Sequence, residues 1–495
     1  MLRPKIGPLE LIVFTAGTVV MILELIGSRI LAPYLGTSIF VWTSLIGVIL
    51  AALSVGYYLG GKFSQKNPTL TFLTTTLLVA SLTLLLLPLV KDVLLFYVMS
   101  LGVAAGSVIA TIILFTPSSL LLGMVSPYAI RLKAQQLESV GGVAGNLYAL
   151  STMGSIFGTF LAGFYLIPHF SSTQIIFGLS FVLLVCALLG GVSRAKVFTL
   201  LIPIGFLAAA QFVPSPYLFE TDSTYNHIRV DDFVEPETGL TQRVLFLATE
   251  THSTIYLESD EPATPYHLMY RIDNLFKPTI ERALALGGGA YAVPLDALKR
   301  HPQATITVVE IDPAVTDTAR RYFKLRDDKR LTIHHQDGRV FLNTDQNRYD
   351  IIYGDAFSSF YSIPFQLTTR EAVQLMSDRL TDDGVLILNL ISSLDGETSL
   401  FFQSEYLTLQ SVFPQIYLFP IHYYDGSKTN QVQNIIMVAS KDKTRLTEAQ
   451  LRARASVEQQ ALLDHLWKND VNLDPKIKVL TDEWAPVDYY ISKLL

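Results

Sequence analysis

The sequence predicts three parts: a multi-pass α-helical membrane domain over 1–216, a small antiparallel β domain over 217–278, and a doubly wound α/β domain over 279–495. Three observations predict them. First, only 16% of the 495 residues are charged, against about 25% in an ordinary soluble chain. The charges are also unevenly placed. Residues 1–217 hold ten Lys/Arg and four Asp/Glu, which leaves 27 of the 37 basic and 39 of the 43 acidic residues for the remainder. A net-positive, hydrophobic front and a net-negative, ordinary back mark a domain boundary. Second, the front contains seven apolar runs, each near the roughly 20 residues that cross a bilayer. Third, short strands alternate with helical segments from residue 282 onward, the pattern of crossover-connected parallel strands.

The seven runs lie at 9–31, 39–61, 70–90, 93–115, 145–167, 173–192 and 198–213. Arg3 and Lys5 precede the first, as in a signal peptide. The run is too long for one and continues into a second span without a small-residue cleavage site, so it reads as a true helix. Small residues recur in the spans and let helices approach closely in lipid. Basic residues cluster at Arg3/Lys5, Lys62/Lys66, Arg131/Lys133 and Arg194/Lys196. The positive-inside rule then places the N-terminus in the cytoplasm. Seven crossings would leave the back half outside; Pro117 and Pro127 mark where a broken helix or extra crossing would return it to the inside. Glu24 and Arg29 fall within the first span, where charges are costly and often functional. The plainer reading is a structural role, with Arg29 reaching the headgroups. The expected location is the cell membrane, multi-pass, with the back half cytoplasmic.

The acidic back half argues against nucleic acid and favours cationic substrates. Cys186 is the only cysteine, so neither a disulfide framework nor a cysteine metal site forms within one chain. Strands are expected at 225–233, 242–248 and 254–257, forming the small sheet. Further strands are expected at 282–286, 306–311, 331–334, 349–353 and 385–390, with helices at 295–300, 314–322 and 369–380. Ligands of such sheets bind at the carboxyl ends of the strands.

Those ends carry the chemistry. The first closes on Gly287, Gly288 and Gly289, with Ala292 completing a G-x-G-x-x-A turn. Glycine there permits a tight turn and a close ligand, though a purely structural turn would look alike. Glu310 ends the next strand, about 20 residues on, as suits a ribose diol. Asp337-Gly338 ends the third and Asp355 the fourth. A lone Asp after a strand is usually a helix cap. Acidic residues at three consecutive strand ends point instead to a nucleoside site. No separate groups for dinucleotide redox chemistry are apparent.

These residues resemble the spermidine synthase family, the polyamine aminopropyltransferases, in the variant fused behind a transmembrane domain. The resemblance runs from residue 219 to about 440. Segment 220–228, E-T-D-S-T-Y-N-H-I, resembles the family's E-S-x-Y-Q motif, with Asn226 in place of Gln. Asp260-Glu261 followed by Tyr266-His267 resembles D-E-x-x-Y-H. The three glycines match the start of G-G-G-D-G, Glu310 and Asp337-Gly338 match the ribose and adenine elements, and Asp355 matches the first Asp of D-S-S-D-P. The tail 480–488, L-T-D-E-W-A-P-V-D, is similar to the end of the fused variants.

The resemblance implies a Rossmann-like, methyltransferase-type fold and transfer of the aminopropyl group of decarboxylated S-adenosylmethionine, a co-substrate rather than a tightly bound cofactor. Putrescine or another polyamine would attack the carbon beside the sulfonium. Its amine, with a pKa near that of Lys at about 10.4, must lose a proton, and Asp355 is the general base. Gly287, Gly288, Gly289, Glu310, Asp337, Gly338, Asn226 and His267 would hold the donor. Tyr225, Tyr266 and Ser358 would hold the acceptor. No metal is required. Soluble members are often homodimers.

Two departures matter. Ala290 stands where the family has an Asp engaging the donor's amine, and Ser358-Ser359 replace the second Asp-Pro of D-S-S-D-P. Each lost charge-assisted contact costs about 1.5–3 kcal/mol. The acceptor could therefore differ from putrescine, and ordinary S-adenosylmethionine could be the donor. The competing readings are an S-adenosylmethionine-dependent methyltransferase and a non-enzymatic polyamine sensor or transporter.

Overall fold

In a computed structural model the chain forms two compact units, 1–216 and 217–495. The structure describes residues 7–494 except 135, 137–138, 190–204, 206–216, 237, 260, 357–362 and 423–427.

The first unit is helical. Among the described residues, five helices are long and apolar enough to cross a membrane: Pro8–Leu35, Ile39–Phe63, Leu70–Met99, Gly102–Lys133 and Val140–His169. A shorter apolar helix, Ser172–Leu188, follows. The expected third and fourth spans need correction. The third helix continues past residue 90 to Met99 because Lys91 and Asp92 pair at 2.8 Å and Asp92 also accepts from Tyr34 Oη at 3.2 Å. These charges, which suggest a break in the sequence, are satisfied on the helix. Pro117 lies inside the fourth helix, and Pro127 sits in the opening turn of its last segment, Val125–Lys133. A proline in the first turn removes no internal hydrogen bond. Neither creates an extra crossing. The expected seventh span, 198–213, lies outside the described residues.

Close packing explains the small residues. A Cβ on Gly154 would sit 2.1 Å from Phe14 O, and one on Gly56 2.2 Å from Leu120 O. Buried hydroxyl pairs, Ser44 with Ser107 at 2.8 Å and Ser81 with Ser180 at 2.7 Å, link other helices. Arg29 Nη1 donates to Ile167 O at 2.7 Å and Phe170 O at 3.2 Å. It thereby caps carbonyls at the end of the fifth helix, which a helix C-terminus otherwise leaves open.

The second unit begins with a four-stranded antiparallel sheet: β1 (Phe219–Asp222), β2 (His227–Val234), β3 (Thr241–Leu247) and β4 (Glu250–Tyr256), in that order. β1 is not among the strands expected from the sequence. Next comes a seven-stranded sheet of β5 (Arg282–Leu286), β6 (Thr305–Glu310), β7 (Leu331–His335), β8 (Tyr349–Gly354), β9 (Leu380–Ser392), β10 (Gln415–Pro420) and β11 (Gln433–Ser440). Its order is β10-β11-β9-β8-β5-β6-β7. Strands β5 to β9 are parallel; β11 runs antiparallel to β9 and β10 to β11. The sheet is doubly wound with an antiparallel edge. Two apolar clusters cover its faces.

Strand order reverses between β5 and β8. Such a switch point opens a crevice at the carboxyl ends of the strands. The ends of β8, β5 and β6 carry Asp355, Gly287 and Glu310 to that crevice, and Asp337 stands beyond the end of β7.

Candidate active site

Gly287 adopts φ +96°, a conformation that costs glycine little and other residues much. Its N–H donates to Val309 O at 2.9 Å, and a Cβ would stand 2.4 Å from Asp355 O. The glycine turn and the Asp355 backbone are therefore in direct contact. Asp355 N in turn donates to Leu286 O at 2.9 Å.

Glu310 is buried at the end of β6. Its Oε2 accepts from Gly288 N at 2.9 Å and Gly289 N at 3.3 Å, and its Oε1 from Asp312 N at 2.9 Å. Burial raises its carboxyl above the usual range, and the three backbone donors oppose that. The residue expected to hold a ribose thus fastens the glycine turn here.

Asp312 and Asp337 are helix caps. Asp312 Oδ1 accepts from Ala314 N at 3.0 Å; its Oδ2 accepts from Ser223 Oγ at 2.5 Å and Asn226 Nδ2 at 2.9 Å. Asn226 is thereby drawn to the β6 end of the crevice, while Tyr225 is 54% exposed. Asp337 Oδ1 accepts from Arg339 N at 2.9 Å and Val340 N at 3.0 Å. Its other oxygen lies 3.5 Å from Gln366 Nε2. Gly338 opens the helix that Asp337 caps.

Asp355 follows β8, its side chain 24% exposed. Burial pushes its carboxyl up to about 6, and a hydrogen bond from Asn389 opposes the rise. Asn389 Nδ2 donates to Asp355 Oδ1 at 3.1 Å, and Asn434 Nδ2 donates to Asn389 Oδ1 at 3.0 Å. His267 Nε2 stands 4.0 Å from Asp355 Oδ2. Burial pushes the His267 imidazole down to about 3, against the pull of Asp296. It is therefore neutral at pH 7 and no counter-ion. His267 Nδ1 bonds Thr264 Oγ1 at 2.5 Å, and its ring packs 4.1 Å from that of Tyr266, whose hydroxyl donates to His252 O at 3.0 Å. Tyr270 Oη donates to Gly354 O at 3.2 Å, bracing the strand end from below. Ser358, like Asp260 and Ser359, lies outside the described residues.

The structure brings Gly287, Gly288, Gly289, Glu310, Asp355, His267 and Tyr266 together around the β5–β8 crevice. Sequence reasoning misses Asn389, Asn434 and Ser253, whose Oγ accepts from Ala290 N at 3.2 Å. Asn389 has a signal: it is the one amide in the apolar run V-L-I-L-N-L-I of a central strand, and a buried polar group needs a partner. The site presents a carboxylate of raised pKa at the switch point of the sheet, beside the glycine turn.

The description "Spermine/spermidine synthase domain" matches residues 266–427. A polyamine aminopropyltransferase of Vibrio vulnificus is 31% identical over 232 residues, which cover 45% of this chain and 74% of that relative. The chain belongs to the spermidine synthase family of polyamine aminopropyltransferases. It is a transferase of that family. A probable polyamine aminopropyl transferase of Bifidobacterium longum is 30% identical over 210 residues, 42% of this chain and 45% of the relative. Among solved structures, a probable spermidine synthase from Corynebacterium glutamicum superposes with TM-score 0.42 and 21% identity, covering 50% of this chain and 86% of its own.

Proposed function

We propose that the second unit moves the aminopropyl group of decarboxylated S-adenosylmethionine to an amine of a polyamine, with Asp355 as general base. The observation that carries this is the Asp355 carboxylate at the switch point. Burial sets its pKa at about 6, so it is mostly ionised at pH 7 yet basic enough to accept a proton as the amine attacks. A positioned base of this kind contributes about 10²–10⁴-fold, and orientation of the two reactants supplies much of the rest. Gly287, Gly288, Gly289, Glu310, Asp337, Gly338, Asn226 and His267 hold the donor; Tyr225 and Tyr266 line the amine path, and the role expected of Ser358 falls outside the described residues.

The first unit anchors the enzyme in a bilayer. Lys62, Lys66, Arg131 and Lys133 fall at helix ends on the side of residue 7, where Lys133 pairs with Glu10. The connections at the opposite ends, 36–38, 100–101 and 170–171, carry no charge. The positive-inside rule makes the first side cytoplasmic. After six helices residue 188 leaves on that same side, and a cytoplasmic catalytic unit requires that the expected span 198–213, which lies outside the described residues, not cross the bilayer.

A methyltransferase reading is favoured by one observation: Ala290 is fully buried and supplies no anion for a donor amine. Calorimetry with the detergent-purified protein decides between them. Preferential binding of the decarboxylated donor, with turnover on adding amines, is expected. Preference for S-adenosylmethionine would overturn aminopropyl transfer.

A further inference from the structure

The tail motif over 480–488 has no part in the chemistry above, yet the structure gives it a definite place. Leu480 is buried; its carbonyl accepts from Arg370 N at 2.8 Å and its N–H donates to Thr408 Oγ1 at 2.9 Å. Thr481 and Trp484 close a tight turn through reciprocal backbone bonds of 2.9 and 3.0 Å. The turn offers the Asp482 carboxylate to two other elements. Its Oδ1 accepts from Thr369 Oγ1 at 2.6 Å and its Oδ2 from Arg339 Nη2 at 2.6 Å.

Arg339 is the centre of this arrangement. Its other terminal nitrogen donates to Gln366 O at 3.1 Å and Thr369 Oγ1 at 3.2 Å. Its own backbone N–H is held by Asp337. A Cβ added to Gly338 would lie 3.4 Å from Leu367, so the turn Phe365–Leu367 rests directly against Gly338. One guanidinium therefore joins three segments far apart in sequence: the Asp337 turn, the 365–369 segment and the tail.

We infer that Asp482 is a positioning residue for the nucleoside end of the donor site, fixing Arg339 so that residues 365–367 roof Asp337 and Gly338. The inference rests on the reading that Asp337 and Gly338 receive the donor's base. An exposed ion pair by itself contributes little, and Asp482 is 46% exposed. Arg339 is only 16% exposed, and its fork satisfies a carboxylate, a carbonyl and a hydroxyl together. A shared guanidinium of this kind couples its partners, which an isolated pair does not.

The test is calorimetric binding of methylthioadenosine to the full-length protein in detergent, with steady-state kinetics alongside. Asp482→Asn and Arg339→Gln are each expected to weaken binding by about tenfold, as loss of a charge-assisted bond does. The double variant is expected to be no weaker than the worse single one. The KM for the amine and the acid limb of the pH–rate profile stay where they are. Glu483→Gln, an exposed neighbour, is expected to bind as wild type does. Wild-type affinity in Asp482→Asn, or losses that multiply in the double variant, would overturn the clamp. Should Asp482→Asn not yield folded protein, Arg339→Lys keeps the charge without the fork; unchanged affinity in that variant also overturns it. Failure of the wild type to bind methylthioadenosine is a separate result, which removes the donor site itself.

Discussion

Asn389 donates a 3.1 Å hydrogen bond to the Asp355 carboxylate from the neighbouring strand, and Asn434 holds the Asn389 carbonyl from the strand beyond. The second bond orients the amide, so its N–H, not its oxygen, faces the carboxylate. That contact favours the ionised form of Asp355 against the burial that raises its pKa to about 6. Turnover should therefore rise with pH through about 6 and level off above, as the base loses its proton. Asn389→Leu removes the opposing bond and should move this limb upward by about one pH unit, the equivalent of one lost hydrogen bond to a charge. Asp355→Asn should cost about 10²–10⁴-fold in kcat with methylthioadenosine binding retained. A pH–rate profile of the three proteins is the check; an Asn389→Leu limb that does not move would remove Asn389 from this role.

Gly287→Ala should disable the site without touching any side chain in it. The residue sits at φ +96°, and the new methyl would lie 2.4 Å from the Asp355 carbonyl oxygen. That oxygen belongs to backbone locked into the β5–β8 ladder, so it cannot move aside cheaply. A left-handed alanine itself costs about 1–3 kcal/mol. Both nucleoside affinity and kcat should fall, whereas Ala at the open turn of Gly396 would test only local strain. Wild-type kinetics in Gly287→Ala would mean that the turn and the Asp355 loop are not in contact.

The strands of the parallel half are legible because each is a short apolar run bounded by turn residues, and their starts and ends mostly agree with the structure to within one or two positions. β9 is longer than its apolar run: Thr381, Asp382, Asp383 and Gly384 are polar or turn-like, yet they extend a strand that pairs on both sides further along. β10 and β11 escape the sequence pattern because an antiparallel hairpin ends the strand–helix alternation that reveals the others. At the site, residue types are legible but their bonds are not. Asp337 looks like a ligand contact and caps a helix. Glu310 spends one oxygen on the glycine turn and the other on the Asp312 N–H. Asn389, which bonds Asp355, and Asn434, which orients Asn389, come from two strands more than thirty residues away in sequence, a proximity that only the sheet order creates.

Asp273 should carry stability rather than turnover. It is fully buried, and Arg300 meets both its oxygens at 2.7 and 2.9 Å, with His301 at 3.1 Å and Tyr353 Oη at 2.7 Å. Burial would raise its pKa, but the His301 and Arg300 contacts prevail and hold it at about 2. An unfolded Asp titrates at about 3.9. A depressed folded pKa gives stability that is full above the unfolded value and is lost as pH falls toward 2. Asp273→Asn takes one of two carboxylates from Arg300, which keeps Asp296 at 2.8 Å; loss of the charge-assisted bonds costs about 1.5–3 kcal/mol. Thermal melts should show a large drop for the variant at pH 7, and a smaller decline than wild type as pH falls from the unfolded value toward the folded one. Equal pH slopes would show that Asp273 is not the group responsible.

Ala290→Asp tests what the donor is. Ala290 is fully buried beside the glycine turn, and its N–H is held by Ser253. The decarboxylated donor carries an ammonium on its propyl arm and no carboxylate; S-adenosylmethionine carries both. A carboxylate introduced at this position attracts the first and repels the acid group of the second. The ratio of their affinities should shift toward the decarboxylated donor by about tenfold or more, the size of one charge-assisted contact. Ala290→Asn adds similar bulk without charge and should weaken both donors alike. Calorimetry with the two nucleosides on each variant separates the effects. If Ala290→Asp loses both donors equally, as Ala290→Asn does, position 290 does not face the propyl arm, and its departure from the family pattern then says nothing about donor choice.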